Sequence, residues 1–361
     1  MQNKKNFLIY GSYGYTGTLI AELSIKQGLK PVLGGRNKEL LINQANALNL
    51  EYRIFDLDDV DKAKTHLEEF IAVIHCAGPF LQTYKNMVYA CLAAKTHYID
   101  ITGEVMVIEQ LTAFDKQAKS AGIMLLPGAG FDVVPSDCLA QHLKSLLPDA
   151  VELTLAIGSL QKEAGSGAGV SRGTARTMMQ GISEGTLIRD KGLLKKVPLN
   201  WKTHTFDFGA SKQLLCTTVS WGDLASAWWS TRIPHIETYM ALPKKMIRFN
   251  TFINPIKWVF KWSPIKRYIE NQIKKLPEGP SLTARNNSVA KLYGEVRNSA
   301  GEKRAALMTT PNGYALTAES CLSIMAKILS GNAPTGFQTP STAYTKDLIL
   351  EIPGVTRIDL N

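Results

Sequence analysis

Short apolar runs alternate with amphipathic stretches through the first third of the chain, and that alternation sets out its elements. The runs at 6–10, 31–35, 50–55, 71–76, 97–101 and 122–126 have the length and apolar content of strands buried on both faces. Between them the apolar period lengthens to that of a helix. Tyr84, Met87, Val88, Cys91 and Leu92 form one i, i+3, i+4, i+7, i+8 stripe, and Val107, Ile108, Leu111, Phe114 and Ala118 form another. Parallel strands need crossover helices, so strand and helix alternating six times predicts an α/β fold with a doubly wound parallel sheet over residues 1–148.

The pattern changes near residue 149, and residues 149–335 are expected to form a second, α+β domain. Val151 to Ile157 has the pattern of a strand, 171–185 that of a helix after a glycine-rich loop, and 282–297 with 303–310 that of a strand pair joined through Asn298-Ser299-Ala300-Gly301. A helix over 314–330 carries Ala318, Leu322, Met325 and Leu329 on one stripe. The segment 336–361, with a helix near 341–350 and a last strand at 355–359, is expected to return to the first sheet. All six tryptophans fall after residue 200, which implies core packing in the second domain ahead of a binding wall.

Chemistry concentrates at the first strand. Phe7 to Tyr10 runs into Gly11-x-x-Gly14-x-x-Gly17, and a helix starts at Tyr15 with Leu19, Ile20 and Leu23 on one side. A strand, a glycine turn and a helix start make an anion site. Gly11 permits the tight turn, Gly14 lets a pyrophosphate approach, Gly17 lets helix and strand pack, and the free N–H groups at the helix start face the anion. Gly11, Ser12, Tyr13, Gly14, Tyr15, Thr16 and Gly17 are therefore candidate dinucleotide contacts of a Rossmann-type domain. The second strand ends in Gly34-Gly35-Arg36, and no acid stands between Pro31 and Lys38 to take ribose hydroxyls. Arg36 and Asn37 instead suit a 2′-phosphate, which favours NADP over NAD. Asp56 either accepts from an adenine amine or caps the helix at 59–67.

Later strand ends repeat the theme. His75-Cys76-Ala77-Gly78-Pro79-Phe80 ends the fourth, Tyr98 to Glu104 the fifth, and Pro127 to Asp137 the sixth. Ala77, Gly78, Pro79 and Phe80 stand where a cofactor's ribose and nicotinamide pass in such sheets. The series GSYGYTG, GGR, CAGPF, YIDITGE and GFDVVPSD, with SRGTARTMMQG at 171–181, GYALTA at 313–318 and TPSTAY at 339–344, resembles the saccharopine dehydrogenase-like oxidoreductases. That group also contains the trans-acting enoyl reductases of bacterial lipid synthesis. The resemblance implies an NAD(P) cofactor and a second α+β domain over its nicotinamide end.

Other chemistries find less support. The cysteines (Cys76, Cys91, Cys138, Cys216, Cys321) are scattered without CxxC spacing and no HxxxH pair occurs, so neither a disulfide framework nor a metal site is visible. No Tyr-x-x-x-Lys occurs, which excludes the usual short-chain dehydrogenase proton donor. Gly169-Val170-Ser171-Arg172-Gly173 matches a hydrolase elbow, with Asp223 and His235 in the right order, but a glycine-rich loop precedes the serine where a strand is needed. Ser171 reads better as a helix cap accepting from the N–H of Thr174. Tyr84, Phe131, Asp132, Ser171 and Thr174 are the candidate substrate contacts, with no catalytic residue assigned.

The net charge of +10 is local. Between Lys244 and Lys275 stand nine basic residues against the single acid Glu270, interleaved with Phe249, Phe252, Trp258 and Trp262. From Pro255 a short helix would set Ile256, Val259 and Phe260 opposite Lys257 and Lys261. Such a segment suits either an interfacial contact with anionic lipid or an ordinary lid helix. No recognition module for nucleic acid is present. The expected function is hydride transfer from NADP to a C=C or C=O of an apolar or lipid-like small molecule; the alternative is a dinucleotide-binding scaffold or redox sensor without turnover. The apolar run at the N-terminus is too short for a signal peptide, so a cytoplasmic protein is expected; a homodimer is expected too, with 244–275 serving either a peripheral contact at the inner face of the membrane or a lid.

Overall fold

The computed structural model describes residues 6–161, 171–173, 175–176, 179, 185–209 and 213–360, and the chain divides into two compact units. One comprises residues 1–134 with 313–352, the other 135–312 with 353–361.

The first unit holds a seven-stranded sheet. Its strands are β1 (Asn6–Tyr10), β2 (Val32–Gly35), β3 (Tyr52–Ile54), β4 (Phe70–His75), β5 (His97–Asp100), β6 (Met124–Leu126) and the two-residue β15 (Gly336–Phe337), in the spatial order β15-β6-β5-β4-β1-β2-β3. Every pairing is parallel. All six strands expected from the apolar runs form; all but the edge strand β3 are largely buried, as a parallel sheet with helices on each side provides. Among the helices, α1 (Tyr15–Lys26) buries Gly17, Ile20, Ala21 and Ser24, so Leu19 and Leu23 flank its buried line. The stripe of α4 (Phe80–Ala94) puts Tyr84, Met87, Val88 and Cys91 in the core. The second stripe continues through three short helical pieces, Val105–Leu111, Thr112–Phe114 and Asp115–Ala121.

The chain order reverses between β1 and β4. There the Gly11 turn meets the loop after β4: a Cβ on Gly11 would lie 2.8 Å from the Ala77 nitrogen, and the residue has φ +79°. Such a switch point, beyond the carboxyl ends of the strands, is where open α/β sheets bind ligands.

The second unit is built on strands β7 (Glu152–Gln161), β8 (Thr186–Asp190), β9 (Leu193–Val197), β10 (Thr203–Asp207), β11 (Gln213–Thr218), β12 (His235–Ala241), β13 (Ser288–Arg297), β14 (Lys303–Pro311) and β16 (Thr356–Leu360). The main path runs β10-β11-β12-β7-β13-β14-β16, mostly antiparallel, with β12 and β7 parallel. Ala156, Phe208, Cys216 and Tyr239 form a core cluster, and Leu139 and Leu143 of the helix Val134–Leu146 press against the bare backbone of Gly294.

Five expectations need correction. The boundary falls at residue 134, not 148, because that helix packs on the second sheet. The helix Gly313–Leu329 belongs to the first unit, where it packs on α1 and Ser320 donates to the Ala129 carbonyl at 2.6 Å. The segment after residue 335 divides: β15 joins the first sheet, whereas β16 pairs antiparallel with β14 in the second. Residues 282–286 form a short helix capped by Ser281, so the first arm of the expected hairpin begins at Ser288. None of the six tryptophans enters the core, and Trp201, Trp258 and Trp262 are exposed. Of the helix expected at 171–185, residues 172–173, 175–176 and 179 are helical.

Candidate functional site

The loops at the carboxyl ends of β1, β2 and β4 come together in the first unit. Gly17 permits the closest approach to backbone, since a Cβ there would lie 2.6 Å from the Gly11 carbonyl oxygen. Gly14 differs. It is exposed, and a Cβ on it would meet only the Gly11 oxygen, at 3.3 Å, leaving open backbone where a phosphate can approach. Gly14 is also the N-cap of α1, with no side-chain cap and no acid in the first turn, so the helix start presents its N–H groups to an anion.

Ser12 and Tyr13 hold this turn. Ser12 is fully buried and its hydroxyl donates to Gln44 Oε1, while the Gln44 amide donates back to the Ser12 carbonyl, both at 2.8 Å. The Ser12 side chain is therefore spent on the fold. Tyr13 lies across Gly35, where a Cβ would come 2.4 Å from its ring, and its hydroxyl accepts from the Asn37 N–H at 3.2 Å. That contact ties the glycine turn to the end of β2. Asn37 caps α2 (Lys38–Leu48) by accepting from the Leu40 N–H, and Arg36 beside it is exposed. Tyr15 meets Tyr314 edge to face at 5.1 Å, and Thr16, half-buried, is in the first turn of α1.

Asp56 does not cap a helix. Its Oδ1 accepts from the Asp58 N–H, and Asp59 caps α3 (Val60–Leu67) instead.

Beyond β4, Gly78 and Pro79 are exposed and Phe80 is half-buried. The next helix, α4, is capped from a distance: Glu104 accepts from the N–H groups of Phe80 and Leu81, each at 2.9 Å. His75 is wholly buried, and burial pulls its pKa down to about 3, so the ring is neutral. Its Nε2 lies 2.9 Å from Thr83 Oγ1, which donates to the Ala77 carbonyl; Nε2 therefore carries the proton. Among the described residues its Nδ1 has no hydrogen-bond partner.

Asp100, at the end of β5, joins the later loops. Its Oδ1 accepts from the N–H groups of Thr102 (2.9 Å) and Gly128 (2.8 Å), and its Oδ2 accepts from the Tyr98 hydroxyl at 2.5 Å. Burial pushes the Asp100 carboxyl up to about 6 despite these bonds. Asp132 is half-buried overall, but its carboxyl is enclosed against Gly103, and that enclosure likewise raises it to about 6. The Phe131 N–H donates to Thr317 Oγ1, and the Phe131 ring covers Gly313. Glu104, Asp100, His75 and Thr317 carried no individual signal in the sequence, since their partners stand far away along the chain.

Tyr84 is not presented to a ligand. It is buried, its hydroxyl donates to Gln110 Oε1 at 2.5 Å, and burial raises its pKa. Ser171 is buried in the second unit and Thr174 lies outside the described residues, so the proposed cap between them is not described. The hydrolase triad is not assembled: Asp223 accepts from Ser136, and His235 pairs with Asp190 at 3.0 Å.

Residues 7–126 match the family model described as the saccharopine dehydrogenase NADP binding domain. Within the first unit, residues 7–126 are thus similar to an NADP-binding domain of the saccharopine dehydrogenase type. Saccharopine dehydrogenase (L-Glu forming) of Saccharomyces cerevisiae has the same fold over 99% of this chain and 100% of its own, with a TM-score of 0.66 at 12% identity. Trans-acting enoyl reductases of Mycobacterium leprae and Mycobacterium tuberculosis are 31% identical over 145 residues and 30% identical over 140 residues. Each alignment covers 37% of this chain and 35% or 34% of the relative, so the chain spans about a third of the length of the curated relatives it matches.

Proposed function

We propose that the protein is an NADP-dependent oxidoreductase that reduces a C=C or C=O bond of an apolar, lipid-like small molecule. The observation that carries this reading is the union, through Tyr13, of an uncapped helix start at Gly14 with the exposed Arg36. Backbone N–H groups in the first turn of α1, those of Thr16 and Gly17 among them, would hold the pyrophosphate, and Arg36 with Asn37 the 2′-phosphate. Asp56 would accept from the adenine amine. The backbone of Ala77, Gly78, Pro79 and Phe80 would run beside the nicotinamide ribose. Glu104 fixes the loop after β4 and Asp100 the loops after β5 and β6, and the neutral His75 adds no charge beside them. When bound, NADPH supplies the hydride. The names of the mycobacterial relatives favour an enoyl C=C as its acceptor.

Fluorescence titration with NADPH and NADH tests the cofactor part. Losing charge-assisted bonds to a phosphate costs about 1.5–3 kcal/mol, so Arg36→Ala is expected to weaken NADPH binding by about tenfold or more while NADH binding changes little. Equal losses for both refute the phosphate assignment. NADPH consumption is then followed across enoyl, keto and imine compounds; retention of NADPH with no consumption favours the scaffold or sensor reading.

A further inference from the structure

The chain from Lys244 to Leu276 is amphipathic in a way that the fold of the second unit does not use. It comprises a helix Lys244–Ile253, a 3-10 helix Asn254–Lys261 and a helix Ser263–Lys275, each packed on the next. Each α-helix is pinned by a thin buried line, Ile247, Asn250 and Ile253 in the first and Ile273 in the second. The large apolar groups are left outside. Phe252 is 80% exposed, Trp258 67% and Trp262 62%, and Phe249, Ile256 and Tyr268 are also more than half exposed. Isolated exposed apolar residues are ordinary, but six in one run of linked helices mark an interaction surface.

Its charge identifies the partner. Lys244, Lys245, Arg248, Lys266, Arg267, Lys274 and Lys275 are all exposed. The one acid, Glu270, is paired with Arg176 at 3.2 Å. Lys257 is half-buried beside Gly185, so it does not form the outer polar strip that the sequence implied, and the side chain of Lys261 is not described. What remains outward is aromatic and cationic together. A protein partner buried on tryptophan and phenylalanine would have to carry acids at its rim, whereas an anionic bilayer offers both halves at once: headgroup phosphates for the cations and an acyl boundary where indole rings settle. No described helix is long and apolar enough to cross a membrane, so the contact is peripheral.

We infer that the surface formed by residues 244–276 docks the protein on anionic lipid bilayers. This inference is independent of the cofactor reading, and NADPH titration of the same variants keeps the two apart. The experiment is co-sedimentation with vesicles of equal parts phosphatidylglycerol and phosphatidylcholine, against vesicles of phosphatidylcholine alone. The wild type is expected to bind the anionic vesicles and to be released by salt. Lys266→Glu/Arg267→Glu and Trp258→Ala/Trp262→Ala are each expected to lower the partition coefficient by about tenfold or more, with circular dichroism and NADPH binding unchanged. Because all four positions are exposed, the charge pair reads the surface even if the tryptophan pair disturbs folding. Equal binding of wild type and both variants, equal binding to neutral vesicles, or a salt-resistant oligomer that the tryptophan pair dissociates while vesicles are ignored would each overturn the inference.

Discussion

Glu104 closes the start of the helix at Phe80, its two carboxylate oxygens accepting the Phe80 and Leu81 N–H groups at 2.9 Å each. Two helix starts at this sheet edge thus differ in kind. The one behind Gly14 has no side-chain cap, while the one behind Pro79 is filled by the protein's own carboxylate. Only the first is left for a phosphate.

Replacing that carboxylate should therefore cost stability. Glu104→Ala removes a two-bond cap with favourable helix-dipole interaction, and a loss of about 1–2 kcal/mol is expected in urea unfolding. Glu104→Gln keeps one acceptor oxygen and should lose less. If the two variants match the wild type, Glu104 is not the cap in solution.

Gly14 and Gly17 should separate binding from folding. A Cβ at 17 would come within 2.6 Å of backbone, and overpacking of this kind costs about 1–3 kcal/mol. At 14 it meets one oxygen at 3.3 Å and otherwise open space. Gly14→Ala is expected to keep a near-native melting temperature yet lose NADPH affinity by about tenfold, or 1.4 kcal/mol. Gly17→Ala should lower the melting temperature first. Unimpaired NADPH binding by a folded Gly14→Ala protein would move the phosphate elsewhere.

Asp100 predicts a pH dependence of stability. Its folded carboxyl lies at about 6, above the ordinary value of 3.8, because burial penalises the charge. Between those values the folded state holds a proton that the unfolded state has released, so the group's contribution is full below about pH 4 and is lost as pH rises to 6. Asp100→Asn retains an oxygen for the Thr102 and Gly128 N–H groups but does not titrate. The stability of wild type minus variant should fall by about 2 kcal/mol from pH 4 to pH 6, measured by urea unfolding at each pH. A flat difference would show that the carboxyl is not buried as described.

Tyr84 should prove structural. Tyr84→Phe deletes a buried hydroxyl bonded to Gln110, with an expected cost near 1 kcal/mol and no change in NADPH consumption. A large fall in turnover with unaltered stability would restore it as a proton donor.

The sequence by itself determined what is local. Apolar runs became parallel strands of three to six residues, and the three glycines from Gly11 to Gly17 became a tight turn into an uncapped helix start, because burial pattern and backbone freedom act over a few neighbouring residues. Tertiary structure decided what depends on distant partners. Glu104 caps a helix 24 residues earlier, Asp100 holds Gly128 28 residues later, and the helix at 313–329 left the second unit for the first. Tyr84 has the residue type of a proton donor and the location of a core group, and only packing distinguishes them. The glycine turn followed from its own letters; whether Lys257 faced water or Gly185 depended on chain more than fifty residues away.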